Sequence, residues 1–284
     1  MIAVTGATGH LGRLAVEALL TRIPASEIVA IVRTPTKAAD LAAKGVTVRT
    51  GDYNQPEPLA SALSGVSKLL LVSSSEVGQR FAQHKATIDA AKAAGVTFIA
   101  YTSILNADTT PALLAEEHKA TEEYLRSAGV DFALLRNGWY TENHTASLPA
   151  SVAHGAVIGV AGDGRFATAT RADYAEAAAV VLSTEGHNGK AYELAGDTSY
   201  NYTEFAAEAA KVSGKPVVYA RLSEADYEAA LTGFGLPAPL AHILADADAA
   251  AGKGMLDTTS RDLSQLIGRP TTPWQETVAA TLKS

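Results

Sequence analysis

Gly6, Gly9 and Gly12 punctuate the opening run IAVTGATGHLGRLAVEALL. Ile2–Thr5 is a short apolar run of the buried-strand type. The glycines follow at once, and Arg13–Leu20 carries apolar residues at helical spacing. A G-x-x-G-x-x-G string between a strand and a helix is the setting in which glycines serve a dinucleotide. Gly6 can take backbone angles closed to other residues. Gly9, without a side chain, lets a pyrophosphate approach the main chain, and Gly12 lets the helix pack closely on the strand. The helix N-terminus then offers unpaired N–H groups and partial positive charge to phosphate. The expected cofactor loop is Gly6, Ala7, Thr8, Gly9, His10, Leu11 and Gly12.

Strand-like and helix-like runs alternate beyond this point. Ile28–Arg33, Val46–Thr50, Lys68–Ser73, Thr97–Ser103 and Asp131–Arg136 read as strands, with helices expected over Pro35–Lys44, Pro56–Leu63, Gly78–Ala94 and Pro111–Ala128. Alternation of this kind predicts an α/β fold: a Rossmann-type, doubly wound parallel sheet with right-handed crossovers. Pro35, Pro56 and Pro111 sit near helix starts, where proline is tolerated. Gly45, Gly65, Gly95 and Gly129 sit where C-terminal caps belong. After Arg136 the pattern loosens. Helices are expected over Arg171–Thr184, Tyr202–Val212 and Glu224–Leu231, strands at Tyr192–Ala195 and Pro216–Ala220, then short helices broken by Pro237, Pro239, Gly252, Gly254, Pro270 and Pro273. The expected organisation is a dinucleotide-binding core over 1–136. Residues 137–284 add remaining sheet elements and a small, mostly helical C-terminal lobe, all in one integrated unit.

Composition removes several classes of function. The formal charge of −7 disfavours a general nucleic-acid surface, which needs a basic face. The absence of cysteine excludes disulfides, thiolate–metal sites and cysteine nucleophiles. The seven histidines form no pair at ligand spacing beside an acid, so no metal is expected. Neither a G-x-S-x-G elbow nor a GxxxxGK[ST] loop occurs, which removes hydrolase and nucleoside-triphosphatase readings. The chain opens directly on a strand, so no export signal is expected. With no bilayer-spanning apolar stretch, the expectation is a cytoplasmic protein.

Arg33, in AIVRTPTK, decides which dinucleotide is expected. An NAD-binding fold carries an acid about 20 residues after the glycines, to hold the ribose 2′-OH. Here that place holds Arg33, with Lys37 a turn later. A guanidinium fork suits a 2′-phosphate, so NADPH is expected over NADH.

Several longer stretches resemble the NmrA-like group of the atypical short-chain dehydrogenase/reductase superfamily and, within it, the bacterial NADPH-dependent quinone oxidoreductases of type 2. They are VTGATGHLG (Val4–Gly12), AIVR (Ala30–Arg33), LLLVSSSEVGQR (Leu69–Arg80), FIAYTS (Phe98–Ser103), LLRNGWYTEN (Leu134–Asn143), AGDGRFATATRADYA (Ala161–Ala175), YELAGD (Tyr192–Asp197) and LIGRPTTP (Leu266–Pro273). VTGATGHLG alone marks only the superfamily, whereas NGWYTEN with GDG…ATRADYA is much more specific.

One departure from the superfamily pattern is informative. Its ordinary members reduce ketones with a Tyr-x-x-x-Lys pair on the helix after the fifth strand. Here that helix reads LLAEEHKATEEYL. With Glu122 matched to the glutamate that usually follows, His118 stands at the lysine place and Leu114 at the tyrosine place. Lys119 lies one step off, on another helix face, and Tyr101 and Tyr124 lack the spacing. Leucine donates no proton. Hydride addition to a ketone makes an alkoxide near water's pKa of about 15.7, but a quinone gives a phenol-like anion near about 10. The gap is worth roughly 8 kcal/mol of product-anion stability at about 1.4 kcal/mol per unit. Loss of the tyrosine is therefore tolerable for a quinone and damaging for a ketone. His118 and Ser103 are the remaining candidates for catalysis. His118 reads either as a proton relay or as a neutral histidine on a helix face.

Ser73, Ser74 and Ser75 end the fourth strand, where a cofactor's ribose and nicotinamide belong; they could equally cap the next helix. Asn137, Gly138, Trp139 and Tyr140 follow the sixth strand and suit a nicotinamide carboxamide or a flat quinone ring, with an aromatic plug between lobes as the plain reading for Trp139. Arg171 either clamps substrate or phosphate, or pairs with Asp173 or Glu176. The resemblance implies an NADPH-dependent quinone reductase transferring hydride directly, without flavin or metal, and it leaves room for a homodimer. A non-enzymatic NADP-binding redox sensor is the alternative, and a ketone- or sugar-nucleotide-modifying enzyme is disfavoured by Leu114.

Overall fold

The computed structural model describes residues 1–283. Its strands are β1 (Ile2–Val4), β2 (Ile28–Val32), β3 (Thr47–Thr50), β4 (Lys68–Leu71), β5 (Phe98–Ile104), β6 (Asp131–Asn137), β7 (Ala156–Gly159), β8 (Lys190–Leu194) and β9 (Val218–Arg221). Its helices are α1 (His10–Leu20), α2 (Ala39–Ala43), α3 (Pro56–Ala62), α4 (Arg80–Ala93), α5 (Ala115–Ser127), α6 (Thr141–Thr145), α7 (Leu148–His154), α8 (Arg171–Ser183), α9 (Tyr202–Ser213), α10 (Glu224–Gly233), α11 (Ala238–Gly252), α12 (Asp262–Ile267) and α13 (Trp274–Lys283). Seven strands pair in parallel in the order β3-β2-β1-β4-β5-β6-β8, and β7 pairs with β9 apart from them. This is the doubly wound α/β sheet expected from the alternation.

Both faces of the sheet are covered, which is why its strands are continuous apolar runs. Ile2, Val4, Ala30, Val32 and Leu70 pack with Ala15, Leu19, Ala178 and Leu182 of α1 and α8. The alternate residues, Ala3, Val29, Ile31, Leu69 and Leu71, pack with Leu59, Ile88 and Leu125 of α3, α4 and α5. The strand order turns back on either side of β1, and ligands in such sheets bind at that point, outside the carboxyl ends. The glycine loop leaves β1 there, and Ser73–Ser75 leave β4 beside it.

A buried charged ladder fixes β5, β6 and β8 against α5. Ser103, Arg136 and Glu193 are register neighbours across the three strands. The Arg136 guanidinium donates to Glu122 Oε1 and Oε2 at 3.0 and 2.7 Å and to Glu193 Oε1 at 2.7 Å. Ser103 Oγ donates to Glu122 Oε1 at 2.6 Å. Tyr101 and Ser103, two apart on the strand, therefore meet His118 and Glu122, four apart on the helix.

The C-terminal half has its own core of Leu148, Phe166, Tyr200, Tyr202, Phe205 and Trp274. Helices α10 and α11 pack on each other, and α11 is tied down by two aspartates. Asp248, buried, accepts from Tyr202 Oη at 2.7 Å and from the N–H groups of Val160 and Ala161. Asp246 accepts from the Leu113 N–H at 2.8 Å.

Four expectations need correction. Pro239 does not break the chain into short helices: it lies in the first turn of α11, where its missing N–H costs nothing, and the helix runs unbroken for 15 residues. The helix expected over Pro35–Lys44 is a 3-10 turn followed by the five residues of α2. The helix expected from Pro111 begins at Ala115. Strand β7 was not expected, because its four residues carry no alternation of their own. No helix among the described residues is long and apolar enough to cross a membrane.

Arg136→Met leaves buried Glu122 with only the Ser103 hydroxyl and the half-exposed Arg126, 3.7 Å away, and leaves Glu193 without its arginine. It should lower the unfolding free energy by about 3 kcal/mol, measured by urea denaturation. A loss below about 1 kcal/mol contradicts the ladder's role.

Candidate functional site

At the strand ends lies one cleft of about 790 Å³. The glycine loop forms one end. Gly6 holds φ at +59°, in the left-handed region. A Cβ on Gly12 would lie 2.3 Å from the Gly6 carbonyl oxygen, and one on Gly9 3.1 Å from the same atom. Helix and loop thus approach so closely that only hydrogen fits. The N-terminus of α1 carries no side-chain cap and no acid in its first turn. Its N–H groups and partial positive charge are left for an anion.

Thr8, Gly9, His10, Leu11 and Gly12 line the cleft with Gly6. Ala7 does not. It is fully buried under the loop, its N–H bonded to the Ile31 carbonyl at 3.3 Å, so its part in the loop is packing. Arg33 and Lys37 stand at the same end. The Arg33 side chain is 71% exposed, with Glu76 3.8 Å away. An exposed pair at that distance holds little energy, so the guanidinium is available to a stronger anion. As the sequence indicates, the acid of NAD-binding folds is absent from the end of β2, and Asp40 is engaged by Arg13 of α1.

The serine run is divided in its roles. Ser73, Ser74 and Ser75 all line the cleft. The Ser74 hydroxyl accepts from the Glu76 N–H at 3.1 Å, closing a local turn. None of the three caps α4, whose N-cap is Gln79 without a side-chain bond.

Asn137, Gly138, Trp139 and Tyr140 continue the wall at the end of β6. Asn137 Oδ1 is buried with no hydrogen-bond partner, an acceptor awaiting a donor. Gly138 is required by packing: a Cβ there would lie 3.0 Å from the Tyr174 hydroxyl. Trp139 both lines the cleft and packs on the C-terminal core, so its plain reading and its site reading coexist. Arg171 lines the cleft, and the alternative pairing with Asp173 or Glu176 does not form. Arg171 bonds Asn143 Oδ1 at 2.6 Å and lies over the Tyr140 ring at 4.5 Å. Asp173 and Glu176, its alternative partners, are taken by Arg269 at 2.7 and 2.6 Å.

His118, Ser103 and Leu114 form the deeper wall. The Ser103 proton is given to Glu122, so this hydroxyl is a poor source of one for a ligand. His118 Nδ1 is 2.7 Å from the hydroxyl of Tyr101, which comes from the strand and not from the helix. Burial, reinforced by the nearby Arg80 charge, holds His118 well below its ordinary value of 6.5, so the ring is neutral. Burial also raises Tyr101 above its ordinary value of 10. Leu105, Leu114 and Trp139 make this end apolar, and Ile243, Leu244, Ala247 and Ala250 of α11 roof it. The residues missed from the sequence are Arg80, Tyr101, Asn143 and the α11 roof. The period-two pattern placing Tyr101 beside Ser103 was the one readable signal.

These features fit a bound dinucleotide: an open helix N-terminus, a loop whose Gly12 leaves no room for a side chain, an exposed and weakly paired guanidinium and a buried unpaired amide oxygen. Comparison with known proteins agrees. The family model described as NAD(P)H-binding matches residues 6–185. Quinone oxidoreductase 2 of Escherichia coli is 60% identical over 279 residues, 98% of each chain. The crystal structure of the NADPH-dependent quinone oxidoreductase of that organism, complexed with NADPH, matches with a TM-score of 0.96 and 59% identity over 99% of both chains. The triphenylmethane reductase of Citrobacter sp., complexed with NADP(H), matches with a TM-score of 0.95 and 43% identity over 99% of this chain and 100% of that one.

Gly12→Ala forces the loop and α1 apart. It should weaken dinucleotide affinity about tenfold or more, equal to about 1.4 kcal/mol, with little change in secondary structure by circular dichroism. Unaltered affinity contradicts the close-approach role.

Proposed function

The chain belongs to the NAD(P)H-binding family, in its NmrA-like atypical short-chain dehydrogenase/reductase branch, and from this we propose that it is an NADPH-dependent quinone oxidoreductase. Gly6–Gly12 and the start of α1 would hold the pyrophosphate, Arg33 and Lys37 the 2′-phosphate, and Ser73–Ser75 and Asn137 the ribose and carboxamide region. NADPH, when bound, supplies a hydride. The quinone occupies the apolar compartment between Trp139, Leu114 and the α11 roof, where its ring is shielded from water. It accepts two electrons and one hydride nucleus, giving a hydroquinone monoanion, and water supplies the second proton.

The observation that carries this reading is the chemistry of the deep wall. Leu114 stands where ordinary relatives place an acid, His118 is neutral, and the Ser103 proton is engaged. A wall so poor in acids suits a product anion with a pKa near that of phenol, about 10. It does not suit an alkoxide. Arg171, held over Tyr140, fixes the mouth of the compartment.

Two measurements test the proposal. NADPH consumption should be rapid with simple benzoquinones and negligible with aldehydes and ketones of similar size. Turnover of ketones but not quinones defeats the assignment, and turnover of neither leaves the redox-sensor alternative in its place. Arg33→Asp should raise the KM for NADPH about tenfold or more while changing kcat little, since a charge-assisted phosphate contact is worth roughly 1.5–3 kcal/mol. A KM change under about twofold removes Arg33 from the phosphate site.

A further inference from the structure

The hydrogen bonds behind the deep wall determine which nitrogen of His118 carries its proton. The Ser74 N–H donates to His84 Nε2 at 2.9 Å, so that nitrogen is an acceptor. His84 is neutral, its pKa pushed down to about 3 by burial, and its proton therefore resides on Nδ1. Nδ1 lies 3.0 Å from Thr121 Oγ1, which accepts that proton. Thr121 in turn donates to the Glu117 carbonyl at 2.7 Å. It has no proton left for its neighbours.

Tyr101, fully buried, must place its own hydroxyl proton. The acceptors beside it are His118 Nδ1 at 2.7 Å and Thr121 Oγ1, and the latter already accepts from His84, which leaves His118 Nδ1 as the open acceptor. If Tyr101 donates, Nδ1 is the acceptor and the His118 proton must reside on Nε2. Nε2 has no protein partner among the described residues, yet it is not a sealed, unsatisfied atom. Since the ring forms part of the cleft wall, Nε2 faces the cavity.

We propose that Tyr101 is a positioning residue that locks His118 as the Nε2–H tautomer, so that a neutral imidazole donates a hydrogen bond to the carbonyl oxygen of the bound quinone. This rests on the quinone-reductase reading and goes beyond it by naming the electrophile. A neutral imidazole can polarise a carbonyl without surrendering its proton. The bond strengthens as the oxygen gains charge, so it favours the transition state over the ground state. No proton crosses in this step. Tyr101 lies above its ordinary value of 10, higher than the about 10 of a phenol-like product, so the relay Tyr101 to His118 to product runs uphill. The hydroquinone monoanion leaves or takes its proton from water.

The surrounding charges keep the ring neutral. Arg80 and His84, both on α4, oppose a proton on His118. Glu117, on the same helix as His118, accepts from the Gly78 and Phe81 N–H groups. Glu122, also on that helix, is held by Arg136 and Ser103. No carboxylate is thus left to charge the imidazole from α5, and β5 presents only the Tyr101 phenol and the Ser103 hydroxyl.

The test uses the full-length protein with ¹⁵N-labelled histidine. Long-range ¹H–¹⁵N correlation should show His118 with a protonated Nε2 and a bare Nδ1, with and without NADP⁺. A proton on Nδ1 overturns the proposal, because Tyr101 would then donate elsewhere and a bare Nε2 would face the cavity. Tyr101→Phe conserves volume and removes the lock. It should mix the two tautomers and lower kcat about tenfold with a KM for quinone within about twofold, since outright loss of one such donor costs about a hundred- to a thousandfold and mixing withdraws it only part of the time. Unchanged tautomer and unchanged kcat overturn the proposal. His118→Gln, whose amide NH₂ stands near the Nε2 place, should retain more activity than His118→Asn. Equal activity of the two contradicts it. Thermal melts verify that each variant is folded. Absence of quinone turnover by the unaltered protein would sink the functional reading alone, because the tautomer is read without any turnover.

Discussion

The contact between the start of α1 and the glycine loop is the constraint on which the rest of the structure depends. A single added carbon on Gly12 would sit 2.3 Å from the Gly6 carbonyl oxygen. That closeness brings the uncapped end of α1 to the carboxyl edge of β1, at the point where the strand order turns back. Every other part of the cleft is measured from there. β2 delivers Arg33 to one side, and β4 and β6 deliver Ser73–Ser75 and Asn137 to the other. The sheet needs no irregularity to do this, because all these residues occupy strand ends.

Away from the phosphates the cleft changes character. Its polar groups are buried, and most of their protons are already given to acceptors within the protein. Arg136 absorbs two carboxylates in a ladder that ends at Ser103. His84 and Thr121 close a second chain behind His118. Buried groups satisfied in this way are rigid, and the expense of breaking any one link is high. The outcome is a wall that orients a hydrogen bond but does not exchange protons near neutrality. Such a wall matches a substrate whose reduced form is a stable anion, as the roughly 8 kcal/mol advantage of a quinone over a ketone implies.

Much of this was legible in the sequence, for reasons that differ along the chain. The glycine string, Arg33 and the serine run are local motifs whose chemistry follows from position, and all but Ala7 reach the cleft wall. Ala7 failed because a loop residue can face inward. The parallel sheet was visible because both faces are covered, which writes each strand as a continuous apolar run. Tyr101 was passed over because a Tyr-x-x-x-Lys search looks along one helix, whereas its contact with His118 joins a strand to a helix 17 residues away. The alternative pairing of Arg171 with Asp173 or Glu176 fails for a related reason: they are close in sequence, but Arg269 reaches them from 93 residues or more away, and Arg171 lines the cleft instead. The alanine- and acid-rich run near Asp246 had no reading at all. Its alanines let α11 lie close over the compartment, and its two aspartates bind the main chain of Leu113, Val160 and Ala161.

The most direct test of the central claim is the pH dependence of quinone reduction. kcat/KM for a simple benzoquinone, at saturating NADPH, should vary by less than about twofold between about pH 6 and about pH 8, because His118 is already neutral throughout that range. A sigmoid with its midpoint near the ordinary histidine value, about 6.5, would show that the wall exchanges a proton during turnover and would contradict the account.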